Sequence, residues 1–455
     1  MFTAYELQRL VDRPVEVTLY ESSDRLGGKV STMRFASLDA RYEAGAAELY
    51  DYSHFGHDPL KDLVEELGLP VRPMGGSAMI VDGSVVANTD DLRVRMGLNG
   101  EASLLEFHRL ARDRMTPSEF YSSGDGDLPV AAAPPGSFDA FLGTIECGQA
   151  RRFIEQLIHS DLAAETHQTN EAYGLQNYLM NDPSYMRLYA IEGGNQRLVD
   201  EVAGRLAACV RIGHRVESIE GDSCGGLVVR HSASGDRGEE RYDVVVVALP
   251  HNQVPGVSFG SERLREAIAL HHAHHDHPAH YLRATALFDR PFWRDSLAES
   301  FWMLDQFGGC CLYDESWRDP LASHGILGWL IGGDSARDLA GRTDEEIVHA
   351  VLGSLPKFLS DALSTGRARM VEARVHRWIG AVSALPGGWV AMPIEQRHQP
   401  DPVGHPGLFM VGDYLYDSTL NGVHDSATRV AAWIAADLAD GRLPERRADR
   451  SACDA

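Results

Sequence analysis

A strand that ends in an acid and runs straight into a paired-glycine turn constrains this chain more than any other feature. Val15-Glu16-Val17-Thr18-Leu19-Tyr20-Glu21 alternates as a half-buried strand does, and Ser22-Ser23-Asp24-Arg25-Leu26-Gly27-Gly28-Lys29 follows without a gap. In a dinucleotide-binding fold the acid at the end of the second strand accepts hydrogen bonds from the adenosine ribose hydroxyls. Glu21 stands at that place. Paired glycines let backbone approach a pyrophosphate closely, and Arg25 brings a positive charge. Taken alone, Glu21 reads equally well as the end of an exposed strand before a flexible turn.

Length and charge narrow the setting. The 455 residues exceed one ordinary core, which predicts two intertwined domains. Sixty-six acids against 42 Lys and Arg give a net charge of −24, which argues against nucleic acid or an anionic membrane as partner. No apolar run approaches a membrane span and no basic-then-apolar segment opens the chain, so a cytoplasmic location is expected. The six cysteines (Cys147, Cys209, Cys224, Cys310, Cys311 and Cys453) show no zinc or CxxC spacing and read as buried or idle thiols.

Periodicity predicts helices over 2–11, 60–67 and 423–438, with Gly441 ending the last, and a helix from a Ser137 cap toward Ser160. Strands are expected at 281–288, 326–331 and 407–411, and in several runs over 216–247. The apolar run Val244–Leu249 suits a strand buried on both faces. Asp82-Gly83 predicts a type I′ hairpin between Met79 and Val86, and the Pro-, Gly- and Ser-rich stretch 117–136 is expected to be the least ordered internal segment.

Glu-x-x-x-Arg-x-Gly-Gly directly after a strand resembles the second fingerprint of the flavin amine oxidase superfamily. That group includes monoamine and polyamine oxidases, L-amino-acid oxidases, protoporphyrinogen oxidase and phytoene desaturases. The resemblance continues in order along the chain. Tyr42-Glu43-Ala44-Gly45-Ala46-Ala47-Glu48 is similar to the segment that passes the flavin ring. Ile191-Glu192-Gly193-Gly194-Asn195, Val216 with the strand up to Leu249-Pro250, and Pro291-Phe292-Trp293 follow. Leu408-Phe409-Met410-Val411-Gly412-Asp413 with Thr419-Leu420-Asn421-Gly422-Val423 resembles the C-terminal flavin motif.

The resemblance implies an α/β fold, with a Rossmann-like FAD-binding domain and an interleaved α+β substrate domain. The first would take 1–77, 190–260 and 395–441, the second 78–189 and 261–394, leaving 442–455 as a frayed tail. It implies FAD as cofactor, contacted by Glu21, Arg25, Gly27, Gly28, Lys29, Gly45, Ala46, Val216, Gly412, Asp413 and the run Thr419–Val423. The family opens with a strand and a Gly-x-Gly-x-x-Gly loop, whereas Phe2-Thr3-Ala4-Tyr5-Glu6-Leu7 matches the helix after that loop. About 12–18 further residues are therefore expected upstream.

Several positions depart from the family. Many amine oxidases hold a water near flavin N5 with a lysine eight residues before the Pro-Phe-Trp proline; here that position is Arg283. Arginine cannot accept a proton but can fork onto a carboxylate or carbonyl; a surface arginine on a strand is the alternative. Trp389 matches one wall of the aromatic cage around the substrate nitrogen, and Thr419 replaces the other. Gly388 stands where covalent-flavin relatives carry cysteine, so non-covalent FAD is expected. Glu48 is either a base with a raised pKa or a structural carboxylate. Tyr189, with Tyr178 and Tyr185, either lines the substrate cavity or packs as an aromatic. The histidines at 271, 272, 274, 275, 277 and 280 lack zinc spacing and are expected near the start of a strand by the pocket, with no metal.

The resulting expectation is an FAD-dependent oxidoreductase that takes a hydride from a carbon beside an amine or amide nitrogen, with Arg283, Trp389 and Glu48 at the reacting centre. Its partners would be a small-molecule substrate and O₂, with a homodimer left open. A desaturase or oxidative cyclase of a specialised metabolite is the second reading, and a flavin-free binding protein retaining the fold is the third.

Overall fold

The computed structural model describes residues 1–76, 78–122, 136–222, 225–319, 322–385, 392–416 and 418–442. By its contacts the chain forms two compact units, Met1–Gly28 with Val199–Asp276 and Met392–Ala455, and Lys29–Leu198 with His277–Ala391. These units are not coextensive with the segments read from sequence, since 29–77 and 190–198 pack in the second. Compactness is defined by a unit's own contacts and a binding domain by its ligand, so the functional division remains a proposal.

The first unit carries two parallel strand pairs, Val17–Glu21 with Ala208–Ile212 and Val245–Val247 with Leu408–Met410. A four-stranded sheet from 215–259 lies in the same unit. Apolar spacing on Phe2–Leu10 and on the C-terminal helix Leu420–Ala439 brings Leu7, Val430, Ala431 and Ile434 together with Phe409 and Val411. Gly441 ends that helix with φ 67°. The strand expected to be buried on both faces is only three residues long, and Val245 and Val246 remain half-buried. Among the described residues it has one strand neighbour, and Pro250 follows too soon for a longer ladder.

The second unit is built on a seven-stranded sheet in the order Met370–Ser383, Pro278–Phe288, Gly325–Gly332, Cys310–Asp314, Phe301–Leu304, Met79–Val81, Ser84–Val86. The two-residue side-chain period divides its faces. Leu282, Ala284, Ala286, Phe288, Leu312, Trp329 and Ile331 join one core with apolar residues of the helices Gly333–Ala340, Asp344–Gly353 and Lys357–Ser364. The residues between them, Tyr281, Arg283, Cys311 and Tyr313, occupy the other face. Asp82 and Gly83 have φ 45° and 74°, the signature of the expected hairpin turn.

Ser137 caps only the short helix Phe138–Leu142, and a second helix, Gly148–Leu162, starts after a break. The long helix read from sequence is therefore two, because Gly143 ends the first by returning its N–H to Asp139 and Phe141. The stretch 123–135 lies outside the described residues. No helix among the described residues is long and apolar enough to cross a membrane.

Candidate active site

In the first unit, the parallel pairing Glu21↔Ile212 fixes the acid at the strand end, and its carbonyl accepts the His214 N–H at 2.9 Å. The Glu21 carboxylate caps the turn by accepting the Ser23 N–H at 2.7 Å. Gly27 and Gly28 have φ 110° and 54°, and no heavy atom lies within 4 Å of where a Gly28 side chain would begin. Arg25 folds over this turn, donating to the Gly28 carbonyl at 2.6 Å. The turn thus offers open backbone beside a fixed acid, which suits a ribose and pyrophosphate.

At the other end of this unit, Thr419 Oγ1 accepts the Gly422 N–H at 3.0 Å and caps the C-terminal helix. Ser426 Oγ accepts the Gly412 N–H at 3.1 Å, which ties the end of the Leu408–Met410 strand to that helix. Asp413 is buried beside this junction, and Leu420, Asn421, Gly422 and Val423 form the first turn. An N-terminus of a 20-residue helix suits an anionic oxygen. Val216 lies half-buried on Arg215–Gly221, opposite His231. These features fit FAD.

In the second unit, Gly45 is required by close approach, since a Cβ there would strike the Lys29 carbonyl. Ala46 donates its N–H to that carbonyl at 3.0 Å, and Lys29 Nζ reaches the Ala381 carbonyl at 2.9 Å. Fully buried Asn195 donates to the Ala46 and Ala47 carbonyls at 3.0 and 3.1 Å. Two motifs separated by some 150 residues in sequence are thereby joined.

Beyond them lies a buried charge network. Arg283, 1% exposed, donates Nε to the Glu43 carbonyl at 2.6 Å and Nη2 to Glu315 Oε1, while Nη1 has no hydrogen-bond partner among the described residues. Glu315 also accepts the Glu43 N–H at 2.7 Å and Arg318 Nη1 at 3.3 Å. Arg318 lies 3.6 Å from the Glu43 carboxylate and donates to the Ala47 carbonyl. Burial would lower the Arg283 pKa, but the charge and hydrogen bond of Glu315 hold it above the ordinary value. One arm of the fork, Nη2, is thus engaged by the chain's own carboxylate, while Nη1 is left without an acceptor among the described residues.

Glu48 sits beside this network with Oε2 buried and unbonded. Burial pushes its carboxyl upward, against the opposing effects of Arg283 and a Tyr313 hydrogen bond. Asp161, at the end of Gly148–Leu162, is pushed up to about 8 by burial and by the charge of Glu48. The phenols of Tyr50, Tyr281 and Tyr313 are held well above their ordinary range, chiefly by burial.

Other expected site residues lie elsewhere or outside the described residues. Tyr189 is buried with Lys61 Nζ 4.3 Å above its ring and its hydroxyl unbonded. Tyr185 donates to the Met115 carbonyl at 2.7 Å, and Tyr178 packs on Phe107. Trp389 and Gly388 lie outside the described residues. The histidine cluster, expected at the start of a strand, falls mainly on the last turn of the helix Glu262–His275. The polar residues there simply continue the helical pattern begun at the Ser261 cap. His271 Nε2 donates to the Arg397 carbonyl at 2.8 Å. Side-chain atoms of His251, His272 and Asp276 come within 4.8 Å of one another, but the two rings stack at 4.0 Å and 15°. Nearly parallel planes at that spacing cannot both contain one ion. Sequence reasoning missed Glu315, Arg318, Tyr313 and Asp161.

The sequence pattern of the family described as flavin containing amine oxidoreductase matches residues 1–435. The flavin-dependent L-tryptophan oxidase RebO of Lentzea aerocolonigenes is 23% identical over 478 aligned positions, covering 97% of this chain and 96% of the relative. A structure of putrescine oxidase bound to putrescine aligns with TM-score 0.71 and 18% identity, over 96% of both chains. Cyclohexylamine oxidase from Brevibacterium oxydans aligns with TM-score 0.70 and 18% identity, also over 96% of both. At such identities the structural likeness shows the fold, and the family pattern over nearly the whole chain leaves no place for the flavin-free reading. The chain belongs to the flavin-containing amine oxidoreductases and is a flavin-dependent oxidoreductase.

Proposed function

We propose that the protein oxidises a small molecule at a carbon beside an amine or amide nitrogen, with O₂ as the final electron acceptor. FAD, held non-covalently, supplies the two-electron acceptor. Glu21 and the Gly27-Gly28 turn would hold the ribose and pyrophosphate, and the capped helix at Thr419 would face an anionic oxygen of the cofactor. Loss of hydride from carbon and of a proton from nitrogen turns C–N into an imine, which water converts to a carbonyl compound and ammonia or which the product captures in a ring. The electrons end in H₂O₂.

The observation that carries this reading is the polar face of the second unit's sheet, where Glu48 has a raised pKa and an unbonded oxygen. A carboxyl pushed upward by burial is better able to hold and pass on a proton than an ordinary one. Arg283 would act there as a fixed charge that orients Glu48, since Glu315 holds its Nη2. The substrates named for the relatives, L-tryptophan, putrescine and cyclohexylamine, each carry a nitrogen on carbon.

A second reading, oxidation of a specialised metabolite to a desaturated or cyclised product, is favoured by Arg283 standing where simple amine oxidases use lysine. Turnover with quantified peroxide and ammonia tests both. Equal peroxide and ammonia supports simple amine oxidation, peroxide without ammonia supports the second, and no peroxide from amines or amides refutes the proposal.

A further inference from the structure

In the first unit, two histidines of Glu262–His275 stand where the helix calls for apolar side chains. Leu264, Ile268, His271 and His275 share one face by their spacing, and all four are buried. That face meets Tyr414, which is 3% exposed. The ring centroids of His271, His275 and His251 lie 6.4, 5.5 and 5.3 Å from that of Tyr414. His271 and His275 are 4.8 Å apart. Arg397, on the helix Ile394–His398, closes the group by accepting His271 Nε2 on its carbonyl. Its own guanidinium is buried and donates to the Met392 and Leu415 carbonyls at 2.7 and 3.3 Å, with no ion pair among the described residues.

A fixed cation without a carboxylate, beside three imidazoles nearly closed to water, makes further positive charge there costly. The other charged and titratable groups facing these rings are His272, His274 and exposed Asp276 from the same stretch, and Asp413 beside Tyr414. His398 and Arg429 lie behind Arg397. Burial accordingly pushes His271 down to about 4 and holds His275 well below its ordinary value. Tyr414 does not move alone. It sits within the turn Asp413–Leu415, closed by the Tyr416 N–H on the Asp413 carbonyl at 3.0 Å and tied to Arg397 through Leu415. Driving Tyr414 away from charged imidazoles therefore carries Asp413 with it.

We propose that His251, His271 and His275 form an acid-sensitive latch on the Asp413–Leu415 turn, which keeps Asp413 on FAD at neutral pH and lets the cofactor go, reversibly, in mild acid. This rests on the cofactor role proposed for Asp413. With the latch shut the imidazoles stay neutral, and with the turn swung out they titrate near about 6.5. Above that pH protonation gives the open form no advantage. Below it, each released histidine favours opening by up to about tenfold per pH unit, until the shut form also takes up protons, near 4 for His271. FAD binds the shut form, so its apparent affinity falls as that form is depleted.

FAD-loaded protein is equilibrated between about pH 8 and 4.5, with free flavin read by fluorescence and the fold by circular dichroism on the same samples. The expected result is a flat affinity above about pH 6.5, a loss of at least about tenfold by pH 5 with the fold retained, and rebinding on return to neutral pH. H271Q keeps a donor for the Arg397 carbonyl and H275L continues the apolar face. The double variant H271Q/H275L should bind FAD as the parent does at neutral pH and lose most of the pH dependence. Calorimetry of FAD binding to the parent in mild acid, in two buffers of different ionisation enthalpy, should show protons leaving the protein as FAD binds. A flat parent profile, release only as the fold melts, no proton release on binding, or parent-like pH dependence in the double variant overturns the latch. D413A separates this from the reading beneath it. Weakened FAD binding by D413A at neutral pH, with a flat parent profile, would sink the latch and keep the cofactor role. Parent-like binding by D413A would sink the cofactor role and the latch with it.

Discussion

Glu315→Gln tests whether the buried network holds the second unit together. Three donors converge on this carboxylate: Arg283 Nη2, the Glu43 N–H at 2.7 Å and Arg318 Nη1 at 3.3 Å. Its side chain is 0% exposed and that of Arg283 is 1%, so water cannot take over. Glutamine preserves the shape, yet its amide turns an NH₂ toward at least one of those donors and removes the charge opposing Arg283. Breaking a buried pair from one side costs about 3–5 kcal/mol, because the remaining ion keeps its desolvation penalty without its partner. Urea unfolding followed by tryptophan fluorescence reads mainly this unit, since Trp293, Trp302, Trp317, Trp329 and Trp378 belong to it while Trp433 lies in the first unit. The expectation is a fall in unfolding free energy within that range, with part recovered by E315L/R283M, which replaces the pair by apolar groups of similar volume. A loss below about 1 kcal/mol in E315Q would refute the view that Glu315 compensates Arg283.

Gly328→Ala should weaken the same pair from a different direction, because its Cβ would come to 2.5 Å from Glu315 Oε1 and 3.3 Å from Arg283 Nη2; a cost of about 1–3 kcal/mol is expected, and wild-type stability would contradict the geometry. Glu21→Ala and Asp413→Ala should each weaken FAD binding about tenfold to a hundredfold without unfolding the chain, the loss of charge-assisted bonds of about 1.5–3 kcal/mol, as measured by flavin release on dilution. His271 and His398 are held at about 4, chiefly by burial. With unfolded values near 6.5, each contributes full stability above that pH and loses up to about 3 kcal/mol as pH falls toward 4. The parent should therefore lose more stability than His271→Gln between pH 7 and 4.5, and identical losses would disprove the linkage.

The elements proposed to hold the cofactor in the first unit were legible because their signals are local. Glu21 follows an alternating strand, Gly27-Gly28 needs positive φ, and Thr419 precedes an apolar-periodic run. Arg283 was marked by its distance from Pro291, but its partner was not. Glu315 meets it only through the register Arg283↔Leu330 and Cys311↔Leu330, which juxtaposes strands some thirty residues apart. Asp314 and Glu315 are both buried, and nothing in Asp314-Glu315-Ser316 announces which of them meets Arg283. Asp161 left a fainter trace: with Ile154 and Ile158 it falls on the apolar stripe of its helix, where an unpaired acid is out of place. The Ser137 helix was overextended because apolar periodicity resumes after the Gly143 break, and periodicity alone does not see the gap.

Anaerobic mixing of the FAD-loaded enzyme with primary amines, each with hydrogen or deuterium on the carbon beside nitrogen, tests the central claim most directly. The account predicts that at least one amine bleaches the flavin absorbance, that deuterium slows the bleaching, and that admitting O₂ restores the colour with one H₂O₂ per flavin. A flavin that stays oxidised with every amine and amide supplied, or one that is bleached but reoxidised by O₂ without peroxide, would contradict it.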